Sequence, residues 1–207
     1  KSEAFFVKNK KIIIGAIIAL FVVVGGGFAY NNLVAKPNQE KASTMLAKGQ
    51  SYFADGKYDE AINGDKFGYI GFLQIAKKYS GTDAGNLANL YAGLSYAQKG
   101  EPKEAIKYIE EYSTAGDMLV SPATLGALGN CYAQDGQIDK AVELLKKAAE
   151  KANSNSLSPI FYIQAGKLLE SQQKTAEAKE LYEIVKTKYG FTSEGEAAEK
   201  LYQRVSE

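Results

Sequence analysis

The chain has 207 residues, with 25 Lys and Arg against 24 Asp and Glu, a formal net charge of +1, no His and one Cys. Without His there is no imidazole base, no His-containing catalytic triad and no His metal ligand, and the lone Cys131 permits no internal disulfide. The balanced charge offers no basic stripe for nucleic acid, and four Pro with no alternating β-type runs point to an all-α chain.

Residues 1–11 form a short basic stub containing Lys8, Lys10 and Lys11. Ile12 to Tyr30 follow as 19 residues without a charge or a Pro. As a helix rising 1.5 Å per residue they would span roughly 28 Å, close to the hydrocarbon thickness of a bilayer. The lysines before this span predict an N-terminus in the cytoplasm and the rest of the chain across the membrane. Phe5 and Phe6 on one side, and Phe28 and Tyr30 on the other, suit the two interfaces. A cleaved signal peptide is the rival reading; it would have an apolar region of about 7–15 residues and a small-x-small exit. Here the exit is Gly27-Phe28-Ala29-Tyr30-Asn31, and no Cys follows closely that could carry a lipid. Residues 12–30 are therefore expected as an uncleaved transmembrane helix, with Gly15 and Ala19 as one small-xxx-small pair. Residues 31–41, with Lys36 and Pro37, are expected as a tether. Four Lys and one Glu precede Asn31, so the remainder carries a net charge of −2.

Beyond the tether a four-point pattern recurs. It reads Gly49, Tyr52, Gly56, Ala61, then Gly93, Tyr96, Gly100, Ala105, then Gly129, Tyr132, Gly136, Ala141. A degenerate copy runs Gly166, Leu169, Gln173, Ala178. The first Gly lets two helices approach closely, the Tyr fills the groove between them one turn on, the second Gly closes the first helix in a left-handed conformation, and the Ala opens the close contact on the second helix. Repeats are placed at about 42–80, 84–119, 121–156 and 158–190, so the repeat domain covers 42–190. Ser121-Pro122 and Ser158-Pro159 open the third and fourth first helices. Residues 191–207 hold a last, capping helix at about Ser193 to Val205, with Ser193 and Glu196 as a capping box.

The spacing is that of tetratricopeptide repeats, which the chain resembles from residue 49 onward. The resemblance implies an α-solenoid of about four such repeats, a scaffold that holds other proteins rather than an enzyme, with no cofactor and no metal. No phosphate-binding loop, nucleophile elbow or Cys cluster is present. The adjacent carboxylates Asp59-Glu60 and Glu110-Glu111 face different sides of a helix and read as solvated surface.

Two stretches are candidate contact surfaces. Leu87, Leu90 and Leu94, with Tyr91 beside them, make an apolar stripe on the first helix of the second repeat. The stripe either lines a binding groove with Phe53, Asn130, Ile160 and Ile163 or packs against neighbouring helices. Only Asn130 and Lys167 could contribute to a clamp for a terminal carboxylate, so the groove suits an apolar segment. The irregular run Asn63–Gly71 cannot continue a helix, and it either presents Phe67, Tyr69 and Ile70 as contact anchors or folds them back onto the repeat. Cys131 is expected as a small core residue.

A basic stub, one anchor with its N-terminus inside and a short periplasmic repeat domain together resemble the ancillary subunit family of the bacterial Sec translocon. The segment Tyr79-Ser80-Gly81-Thr82-Asp83-Ala84-Gly85-Asn86-Leu87-Ala88 is similar to a junction in tetratricopeptide proteins of Bacteroidetes. The resemblance implies an inner-membrane protein beside SecYEG and a membrane-anchored prolyl isomerase, assisting emerging periplasmic or outer-membrane proteins. A structural adaptor in another envelope assembly, for secretion, motility or division, is the other expectation.

Overall fold

A computed structural model describes residues 19–114, 116–117 and 119–206. Lys8, Lys10, Lys11 and residues 12–18 of the expected span lie outside the described residues. Every regular element among those described is helical.

The first helix, α1, runs unbroken from Ala19 to Ala54 and is long and apolar enough at its start to cross a membrane. Leu20, Phe21, Val22, Val23 and Val24 are all exposed, covered by nothing else among the described residues. The expected tether 31–41 is part of this helix. Pro37 lacks an N–H and its ring would press on the carbonyl four residues back. The chain relieves this by widening into a π-helical turn over Asn31–Ala35, where the Lys36 N–H reaches back five residues to the Asn31 carbonyl. The anchor-like segment and the first repeat are thus one continuous rod.

The second half of the first repeat is split into α2 (Tyr58–Asn63) and α3 (Phe72–Lys78) by the Gly-rich insertion. The next repeats are regular hairpins: α4 (Asp83–Gln98) with α5 (Pro102–Glu110), α6 (Val120–Gln134) with α7 (Ile138–Ala152), and α8 (Ser158–Ser171) with α9 (Thr175–Lys188). A final helix, α10 (Ser193–Arg204), packs on α9 and α8. The result is the expected all-α solenoid.

The repeat framework does what its chemistry requires. Ala61, Ala105, Ala141 and Ala178 have no exposed surface. A β-carbon on Gly93 would come 2.5 Å from Ile109 Cγ1 and 2.9 Å from the Ala105 carbonyl oxygen, so the paired helices touch backbone to backbone. The closing positions are left-handed at Gly56, Gly100 and Gly136, and in the degenerate copy Gln173 adopts the same conformation at φ 62°. That geometry is uncommon for a residue with a β-carbon, and the surrounding turn enforces it: Lys174 N–H bonds the Leu169 carbonyl just as Gln137 N–H bonds that of Tyr132. One expectation is corrected at the C-terminal helix. The cap is Thr192, whose hydroxyl accepts from the Gly195 N–H at 3.1 Å and donates to the Tyr189 carbonyl at 2.8 Å. Ser193 lies one residue inside the helix and bonds Glu194 instead.

Candidate protein-interaction surface

The insertion in the first repeat is a built loop. Asp65 is its centre, with a side chain only 6% exposed. Its carboxylate accepts the N–H groups of Phe67 and Tyr69, each at 2.8 Å, the hydroxyl of Tyr52, and the Lys48 ammonium at 2.9 Å. The Asp65 N–H in turn donates to the Tyr69 carbonyl at 2.8 Å. The Tyr52 hydroxyl and these further donors hold the Asp65 carboxyl well below the usual carboxylate range. Gly64 and Gly71 let the two ends of the loop cross, since a β-carbon on either would overlap the backbone of the other strand of the crossing.

This geometry separates the three expected anchors. Tyr69 is buried: its ring meets Tyr52 at 5.3 Å and Phe72 edge-on at 6.4 Å, and its hydroxyl donates to the Ala61 carbonyl at 3.0 Å. Burial pushes its phenol pKa up. Ile70 packs, half-buried, against the same cluster. Tyr69 is therefore core, because the bulky second half of the insertion fills the groove that a regular second helix would have filled. Phe67 alone stands out, 78% exposed, with the Lys66 ammonium 5.3 Å from its ring centre.

The leucine stripe also divides. Leu90 is buried among Ile106, Ile109, Leu128 and Cys131, so it is packing between repeats rather than an open binding residue. Leu87 is half-buried between the core of the first repeat, around Phe72 and Ile75, and the core around Leu90, and Leu94 lies half-buried on the latter. Tyr91 is half-buried, stacked on Phe72 at 5.4 Å and edge-on to Phe53 at 5.7 Å. The cause is general to a solenoid: an inner first helix has neighbours on both sides, so its apolar stripe is used twice. Ile163 is buried for the same reason, whereas Asn130 and Ile160 are half-exposed and Lys167 is exposed. Burial pushes the Cys131 thiol up to about 11, which makes it an inert core residue.

Asp117 was not picked out by the sequence pattern. It fastens the start of α6, accepting the N–H groups of Leu119 at 2.8 Å and Val120 at 2.5 Å and the Ser121 hydroxyl at 3.0 Å. The Asp-x-x-x-Ser-Pro spacing was the available signal. Leu119 and Phe191, 66% and 75% exposed, were likewise not singled out. A cleft of about 370 Å³ between α7 and α9 is lined by charges of both signs and bridged by Lys174 to Asp139 at 2.7 Å. Among the described residues no three His, Cys, Asp or Glu side chains gather as a metal site.

Paired helices with small residues at their crossings, closed by left-handed turns and stacked through shared first helices, define a repeat solenoid of the protein-interaction class. The profile of the tetratricopeptide repeat-like domain matches residues 3–201, and the chain belongs to that family. No curated protein matches it. Among solved structures it is similar to the nearly identical TPR-like repeats of a putative kinesin light chain from Podosopora anserina, at 16% identity and a TM-score of 0.63, over 81% of this chain and 86% of that one. A point variant of the same protein gives 15% identity and the same TM-score, over 81% and 85%. At this identity the likeness concerns the fold.

Proposed function

We propose that the chain is a non-enzymatic, membrane-anchored scaffold that binds proteins, and that it serves as an accessory subunit of the Sec translocon for emerging periplasmic or outer-membrane clients. In this reading the N-terminus is cytoplasmic and the repeats lie in the periplasm at the bacterial inner membrane. The observation that carries it is the unbroken helix Ala19–Ala54, whose exposed apolar start passes without a hinge into the first repeat. Leu20 to Val24, Phe28 and Leu33 present apolar surface along this stretch that nothing among the described residues covers, which suits lipid rather than water. The family profile begins at residue 3 and so takes in this segment together with the repeats. The half-buried rim of Leu87, Tyr91 and Leu94, and the exposed Phe67, are the surfaces offered to partners.

The test is copurification. The intact protein, extracted from native membranes in mild detergent, is expected to bring down translocon subunits. Recovery of components of a secretion, motility or division complex instead would move the assignment to an adaptor there. Release of the protein from membranes by alkaline carbonate, without detergent, would refute the anchor.

A further inference from the structure

Two junctions in the chain are copies of one turn. In Tyr79–Gly85 the Thr82 hydroxyl donates to the Tyr79 carbonyl at 2.7 Å and accepts from the Gly85 N–H at 3.0 Å. In Tyr189–Gly195 Thr192 makes the same two bonds, at 2.8 and 3.1 Å. Gly85 and Gly195 both press against the carbonyl of the preceding Tyr, where a β-carbon would not fit. The tips differ: Gly81 stands in the first turn where Phe191 stands in the second. The first copy shows that this turn folds without a side chain at its tip. The Phe191 ring, 75% exposed, is therefore not placed there by folding.

The position of the first copy is fixed. The Asp83 N–H donates to Gln39 Oε1 at 3.0 Å, and Gly81 and Thr82 share a groove with Asn31 and Ala35. This turn thus lies beside the part of α1 that immediately follows Tyr30. The intra-repeat turns lie at the other end, where Lys99 pairs with Asp59 and Lys174 with Asp139, both at 2.7 Å. Successive first helices enter from the same end of their hairpins, so the junctions before α6 and α10 are counterparts, along one edge of the solenoid, of the turn that lies beside the start of α1. That edge carries Leu119 and Phe191. Leu119 is held outward by Asp117, whose carboxylate binds the backbone on both sides of it.

We infer that this edge is a second bilayer contact, with Leu119 and Phe191 entering the interfacial layer of the membrane that α1 crosses. The inference rests on the proposed anchor and adds a fixed posture to it: the solenoid lies over the membrane rather than standing clear of it. The chemistry is apolar insertion. Lys186 pairs with Glu199 at 3.0 Å, and Glu194 and Glu196 offset Lys188 in the charge of the same stretch, so the contact calls for no anionic lipid.

The chain lacks Trp, which permits clean reporters. The full chain is reconstituted in phosphatidylcholine vesicles containing lipid brominated either near the top of the acyl chain, for the edge positions, or near its end, for position 21 at the middle of the span. Single-tryptophan variants Phe21→Trp, Leu119→Trp, Phe191→Trp and Gln134→Trp replace exposed residues, Gln134 lying at the far end. The expected result is loss of emission at positions 21, 119 and 191 with position 134 unaffected. Quenching at 21 alone overturns the edge contact and leaves the anchor standing. Quenching at none of the four overturns both.

Discussion

The hydroxyl of Tyr69 occupies the space that a β-carbon on Gly49 would need. In the later repeats the equivalent glycine faces the paired helix, at Ile109, Leu145 or Tyr182. In the first repeat Tyr69 of the insertion shares that place with Phe72 of α3, so Gly49 and Tyr69 tie the loop to the solenoid. Gly49→Ala is expected to lower the melting temperature, in line with overpacking costs of about 1–3 kcal/mol. Its cost should be smaller in a Tyr69→Phe background, where the overlapping hydroxyl is gone. A double-mutant cycle by thermal melting measures this, and strict additivity would show that the pair is not coupled.

The paired helices are not equally close in every repeat. An added β-carbon at Gly93 meets Ile109 at 2.5 Å and backbone at 2.9 Å, whereas at Gly129 the nearest atoms are Leu145 Cγ at 3.0 Å and the Ala141 carbonyl at 3.2 Å. Side chains shift more readily than backbone. Gly93→Ala should therefore destabilise more than Gly129→Ala, and equal melting temperatures for the two would contradict this packing.

Leu90 and Phe67 should behave oppositely. Leu90→Ala removes a buried side chain and is expected to cost about 2–5 kcal/mol. Phe67→Ser changes an exposed ring and should stay within about 0.5 kcal/mol of the parent. Denaturant unfolding measures both.

The Asp65 carboxyl titrates below its unfolded value of about 3.9. Its contribution to stability is thus complete above that pH and is lost as the pH falls through it towards the folded value. Asp65→Asn lacks the contribution at every pH. The gap in melting temperature between parent and variant should be constant near neutrality and narrow below about pH 4. A gap that widened on acidification would contradict the role given to this carboxylate.

The fold was legible because the Gly-Tyr-Gly-Ala spacing encodes two backbone requirements, a close crossing and a left-handed turn, that few residues meet. Even the degenerate copy kept the geometry, with Gln173 held in the conformation of the missing glycine. The candidate surface was less legible. A stripe such as Leu87, Leu90 and Leu94 states that a helix face is apolar, but not whether solvent or a neighbouring helix lies opposite. Tyr69 and Phe67 sit in one loop and could be told apart only by the Asp65 network that turns one inward and the other outward. Thr192 and Ser193 are both competent caps by type, and the Tyr189 carbonyl selects Thr192.

Site-specific photo-crosslinking in native membranes tests the central claim most directly. A photoreactive amino acid at Phe67 or Leu94, on the intact chain, is expected to yield covalent adducts with other membrane or translocating proteins. The same probe at Gln134, on the far turn, should not. A folded, membrane-bound protein that gives no adduct at either Phe67 or Leu94 would contradict the scaffold account.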